Sequence, residues 1–211
     1  MPLQNRVTPL GEIIATPARG TVMGNRGGAL HDAHKRLAGR RWVNRHWLVC
    51  VLSFRGRKRQ VMAPSRYTEL FFLDEAVALA AGHRPCFECR RADFLRFAAL
   101  WGETRGRAGR GYVEQIDLLL HAERLDAGGA KRLHGAPYRG LPDGAFVLAE
   151  GKPHLVLGGA LLEWSPGAYA RARPRPRSGE AALITPPSTL GVIAAGYAPA
   201  LHPSAQSLRR G

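Results

Sequence analysis

Cysteine is scarce in this chain: Cys50, Cys86 and Cys89 are the only three in 211 residues. An odd count this small excludes a disulfide-stapled scaffold and fits a reducing compartment. Acidic side chains are also few, 16 Asp and Glu against 31 Lys and Arg, which leaves a formal charge of +15. Lysine is nearly missing from that excess, with Lys35, Lys58, Lys131 and Lys152 the only ones. The charge is therefore carried by arginine, whose planar fork matches phosphate oxygens better than an ammonium does. No apolar run approaches the roughly 20 residues needed to cross a bilayer, and the first residues carry no signal-peptide core. A bacterial cytosol is the expected location, with no membrane partner, and the length suits one compact domain.

What is present centres on residues 66–101, RYTELFFLDEAVALAAGHRPCFECRRADFLRFAALW. Asp74 can cap a first helix, Glu75 lies in its opening turn, and Gly82 stands where that helix ends. Pro85 blocks continuation, and Pro-Cys-Phe-Glu-Cys feeds a second helix with Phe87, Phe94, Phe97 and Trp101 at helical spacing. Two thiols three residues apart beside a helix start suit a tetrahedral metal, with zinc the first choice. Two buried inert cysteines or a redox pair share that spacing.

The segment DEAVALAAGHRPCFECR resembles the zinc-binding module of the bacterial Ada methylation-repair proteins, over residues 67–91. The resemblance implies zinc and contact with the DNA backbone. It also implies a methyl-accepting cysteine, whose only counterpart here is Cys50. That module has four cysteine ligands, whereas this chain offers Cys50, Cys86 and Cys89. The fourth place falls to His46, because HWLVCVLSF reads as a strand and residues four apart on a strand share a face. His83, in the turn, is the rival.

The basic balance favours nucleic acid over an anionic membrane surface as partner, and the Ada-type resemblance implies that it is DNA. Toward the N-terminus, TPARGTVMGNRGGALHDAH presents Arg19, Asn25, Arg26, His31 and Asp32 between glycines that permit close backbone approach. It carries neither a P-loop ending nor a dinucleotide fingerprint, so no nucleotide cofactor is expected. HWLVCVLSF and RQVMAP read as a hairpin whose tip places Arg57, Lys58 and Arg59 toward phosphates, and Arg90 and Arg91 extend the basic surface. Residues 112–126 read as an amphipathic helix. AFVLA, HLVL, ALLEW, AYARAR and AALI then read as strands, with a short helix from Ser188. The expected fold is a single α+β domain over residues 1–211, with a small antiparallel sheet, a few helices and a zinc-clipped Cys-x-x-Cys segment. Residues 1–111 hold the loop, hairpin and cysteine module, residues 112–211 hold a helix and the β-rich part, and a monomer is expected.

Three patterns point toward enzymes. Pro-Cys-x-x-Cys with His121-Ala122-Glu123 echoes the zinc deaminases in reversed order. Asp143 with Glu150 and Lys152 echoes metal-dependent nucleases. TPARGTVMGNRGGALH, RYTELFFLDEA and GHRPC together resemble small bacterial proteins that remove modified bases, including anti-phage DNA glycosylases. That resemblance implies N-glycosidic hydrolysis of a flipped base, in repair or defence. The chemistry needs a carboxylate facing the sugar, and Glu69, beside the apolar run 70–73, is preferred over Asp32, with Asn25 touching the base.

Overall fold

The computed structural model describes residues 1–58, 60–105 and 112–209. Among them, strands β1 (Gln4–Val7), β2 (Ile13–Ala15), β3 (Val22–Asn25), β4 (Leu48–Cys50), β5 (Leu70–Phe72) and β6 (Arg84–Pro85) form one six-stranded sheet in the order β2-β1-β5-β3-β4-β6. Strands β7 (His134–Pro137), β8 (Phe146–Ala149), β9 (Lys152–Leu157), β10 (Ala160–Trp164), β11 (Tyr169–Pro174) and β12 (Glu180–Leu183) form a second, in the order β11-β10-β9-β8-β12-β7. The helices are α1 (Glu75–Ala80), α2 (Arg91–Glu103), α3 (Tyr112–Arg124), α4 (Pro187–Ala194) and α5 (Pro203–Arg209). The α+β class holds, but the sheets are larger than the small one expected.

The first sheet is mixed. β1 pairs parallel to β5, β4 pairs parallel to β6, and β3 runs antiparallel to both β4 and β5. Residues 1–41, which read as irregular, supply three of its strands. Their alternation is masked because the inward residues of β1 are Asn5 and Val7, one of them polar. The expected hairpin does not form. β4 stops at Cys50, and no strand follows until β5, because the chain turns at positive φ through Arg55, Met62 and Ser65. Residue 59, at the expected hairpin tip, lies outside the described residues, as do residues 106–111 of the glycine-rich connector.

α1 is the element both sheets share. Asp74 caps it by accepting a 3.0 Å hydrogen bond from the Val77 N–H, and all six helical residues are buried. It ends in a Schellman motif: Gly82 N–H donates to Leu79 O and His83 N–H to Ala78 O, with Gly82 at φ +92°. One apolar cluster draws Val49, Leu70 and Phe72 from the first sheet, Ala76, Val77 and Ala80 from α1, and Phe146, Leu155 and Leu162 from the second. A second cluster packs Phe97 and Trp101 of α2 on Ile116 and Leu120 of α3 and Val192 of α4.

Two polar ties reinforce this joint. Asp74 also accepts from Tyr169 Oη and the His202 N–H, while Glu75 accepts from Tyr197 Oη and pairs with Arg90 at 2.8 Å. Among the described residues no helix is long and apolar enough to cross a membrane.

Candidate metal centre

The three cysteines meet at the edge of the first sheet. Parallel pairing of β4 with β6 sets Val49 opposite Pro85, and the Cys86 N–H donates to Val49 O at 2.9 Å. Cys50 and Cys86, each the next residue along, are thereby brought together from distant parts of the sequence. The Cys86 carbonyl accepts from the Arg90 N–H, closing the turn that returns Cys89 to the same point just before α2. The three sulfurs all lie within 4.8 Å of one another, close enough to hold a metal ion.

The surroundings favour thiolates. A hydrogen bond from Cys50 and the backbone N–H groups of Cys89 and Glu88 bring Cys86 down to about 5 against the cost of burial. Cys50 and the Val51 N–H lower Cys89 likewise, and Cys50, facing two thiolates, retains its proton far more tightly than usual. Three sulfurs this close, with N–H groups aimed at two of them, have the spacing to hold a cation.

His46 does not join them. It lies two residues before β4 begins, so strand alternation does not reach it, and its N–H is turned onto Asn44 Oδ1. Its Nδ1 stands 2.6 Å from Asp117 Oδ2, and Arg84 grips the same carboxylate with two 2.7 Å bonds. His83 is fully buried and accepts from Arg26 Nε at 3.3 Å, and burial keeps it neutral. Among the described residues the metal-capable group contains the three cysteines alone.

The other sequence candidates divide into inward and outward. Arg26 is buried and donates to Gly11 O and Arg41 O. His31 is buried between Thr68 Oγ1 and Ala63 O. Arg90 is held by Glu75 and Asp93. The Glu69 side chain, on a residue only 3% exposed, accepts from the Met62 N–H at 2.8 Å. Asn25 Oδ1 accepts from the Gly27 N–H. Asp32 Oδ1 accepts from the His34 and Arg36 N–H groups, and Asp126 repeats that pattern with Gly128 and Ala130, which marks Asp32 as a turn former. Arg19, Arg57, Lys58 and Arg91 are exposed.

The reversed deaminase pattern does not assemble. His121 takes a hydrogen bond from Arg124, and Glu123 accepts from Ser188. The nuclease pattern disperses as well, with Asp143 on the Gly158 N–H, Glu150 on Arg173 and Lys152 on Glu163.

Around the thiols the outward residues gather. Arg55 and Arg57 lie 5.0 and 5.2 Å from the Phe54 ring centroid, and Arg57 reaches Glu88 between the two cysteines at 2.8 Å. Phe87, read from spacing as part of the apolar face of α2, instead stands outside the helix at 48% exposure, with Arg91 4.5 Å over its ring. Neither exposed Phe87 nor half-buried Phe54 was legible as a rim residue, because an aromatic in an apolar-looking string reads as core. No family model, curated protein or solved structure matches the chain.

Proposed function

We propose that the chain is a zinc-clipped DNA-binding protein, with the three-cysteine centre serving to fix a basic and aromatic rim against nucleic acid. Zinc suits the donor set. Three thiolates are soft, and Zn–S bonds of about 2.3 Å in a tetrahedron need sulfurs about 3.8 Å apart, which sulfurs all within 4.8 Å of one another can meet. Zinc there would supply charge neutralisation and a rigid cross-link, while Cys50, Cys86 and Cys89 would hold it.

The observation that carries the reading is the rim itself. Phe54 and Phe87 offer π-faces to bases, and Arg55, Arg57 and Arg91 beside them, with exposed Lys58 next in the chain to Arg57, offer charge to phosphates, on a chain with a formal charge of +15. The reading stops at binding. Glu69 and Asp32, the carboxylates a glycosylase would use, already accept backbone hydrogen bonds.

Fluorescence anisotropy of a labelled oligonucleotide, titrated with the zinc-loaded chain at several salt concentrations, tests this. Affinity is expected to fall steeply with salt. Arg55→Ala with Arg57→Ala and Lys58→Ala should flatten the slope by about 2 to 3 units, since each phosphate no longer neutralised removes about 0.9. An unchanged slope in that triple variant contradicts the rim, and no affinity at low salt contradicts the function.

A further inference from the structure

A second polar centre lies at the other end of β4, around Trp47, and it contains cations where the first contains thiols. Trp47 is buried, and the guanidinium carbons of Arg26 and Arg124 each lie 3.9 Å from its ring centroid. Both arginines are 1% exposed. Lys131, partly buried, reaches in to donate to Ala80 O, and Arg124 donates to Gly82 O and Arg45 O.

These bonds tie carbonyls of the α1 end and its neighbouring loops, but they bring no compensating negative charge. The carboxylates nearby spend their hydrogen bonds elsewhere, Asp117 on Arg84 and His46, Glu123 on Ser188 and Asp126 on its own turn, so Asp117 and Glu123 act on Arg124 and Lys131 only from a distance. Arg124 Nε is buried with no hydrogen-bond partner. Burial, and then the charge of Arg26, holds the Arg124 guanidinium below its ordinary range; burial and Arg41 do the same to Arg26. Charges buried together without counter-charge are costly, and an anion relieves that cost.

The cations line a cavity of only about 10 Å³, too small for an anion as it stands, and Arg41, Trp42 and Gly129 line both it and the cleft outside. That cleft is open, about 510 Å³, between Arg40, Arg41 and Trp42 on one side and Gly128, Gly129 and Ala130 on the other. Gly129 sits at φ +78°, and a Cβ there would stand 3.2 Å from the Trp42 ring, so the ring rests on bare backbone. Elsewhere Trp42 meets His121 edge-on at 5.8 Å and Trp47 at 6.1 Å. Among the described residues, this ring and a glycine loop separate the cleft from the buried arginines.

We infer that the cleft binds a phosphate group, with Arg124, Arg26 and Lys131 beneath, Arg41 at the mouth and Trp42 as a movable cover. The ligand class is a phosphate oxyanion, carried by a free phosphomonoester or by a nucleic-acid strand. This site is separate from the rim at the thiols and stands whether or not that rim binds DNA.

The zinc-loaded full chain is titrated with potassium phosphate, with 2′-deoxyadenosine 5′-monophosphate and with an oligodeoxynucleotide lacking terminal phosphate. Thermal midpoint and tryptophan fluorescence are read, with potassium chloride at matched ionic strength as control. At least one probe is expected to raise the midpoint saturably and shift the emission, as a ligand bound only by the folded state does. Arg41→Gln, on the surface side, should weaken that binding tenfold or more, Trp42→Ala, which strips the cover from the buried arginines, should strengthen it, and Arg171→Ala on β11 should leave it unchanged. Preference for the monophosphate assigns the site to phosphomonoesters, and preference for the oligonucleotide assigns it to strand phosphates. Responses no larger than those to chloride, or equal affinity in Arg41→Gln, Trp42→Ala and the parent, overturn the site.

Discussion

The thiol centre and the cation centre flank the same short strand, β4, and they are built in opposite ways. At the first, three short side chains are placed by backbone: strand pairing fixes Cys50 beside Cys86, and a tight turn returns Cys89. At the second, long side chains arrive from β3's end, α3 and the loop after it to surround one indole. The first concentrates negative charge in a place suited to a cation. The second concentrates positive charge with no carboxylate hydrogen-bonded to it, Asp117 and Glu123 acting on Arg124 and Lys131 only from a distance. Both leave a charge that the protein alone does not balance, but only the first has the stiffness to specify geometry as well as sign.

The largest effect should come from breaking the thiol centre. Cys86→Ser, or a strong chelator, removes a donor fixed on both sides by backbone, and the loss should be several kcal/mol, read as lost zinc stoichiometry and a collapsed thermal midpoint. Next is Asp117, which shows what a counterion does for a buried arginine. Asp117→Ala leaves Arg84, whose side chain is 4% exposed, without its two 2.7 Å bonds, and should cost about 3–5 kcal/mol in denaturant unfolding. Lys131→Met sharpens the contrast from the other side. It removes a cation that no carboxylate pairs with directly and on which Glu123 acts only from a distance, so in phosphate-free buffer it should change stability by no more than about 1 kcal/mol.

The smallest effect is expected at Asp32, far from both centres. The N–H of Arg36, then that of His34, holds its carboxylate below the usual range. A depressed carboxylate contributes stability that is complete above its unfolded pKa, about 4, and fades as pH falls through its lower folded value. Asp32→Asn should therefore flatten only the acid limb of a thermal midpoint against pH curve, and leave the neutral plateau nearly in place.

The two centres also differ in how far the sequence revealed them. Cys-x-x-Cys, the Asp74 cap and the Gly82 stop are local signals, and each appears in the structure where its spacing placed it. Five of the second sheet's six strands were legible for the same reason, since turn residues separate apolar runs, whereas β7, with the sequence HGAP, reads as loop. His46 was misplaced because strand alternation was extended two residues beyond where β4 starts, into a turn held by Asn44. The hairpin failed because backbone at positive φ, through Arg55 and Met62, leaves no local trace in those residue types. The cation centre left no trace at all: Arg26 looked like a surface residue, and nothing in a helix ending in Arg124 marks that side chain as buried against Trp47. Arginine is read as solvent-facing by default, and only tertiary structure shows an exception.

Zinc K-edge X-ray absorption on the purified chain tests the central claim most directly. The account predicts one zinc per chain with three sulfurs at about 2.3 Å, falling to two sulfurs in Cys50→Ser. A parent spectrum with two sulfurs or fewer, or a folded chain that takes up no zinc, would contradict it.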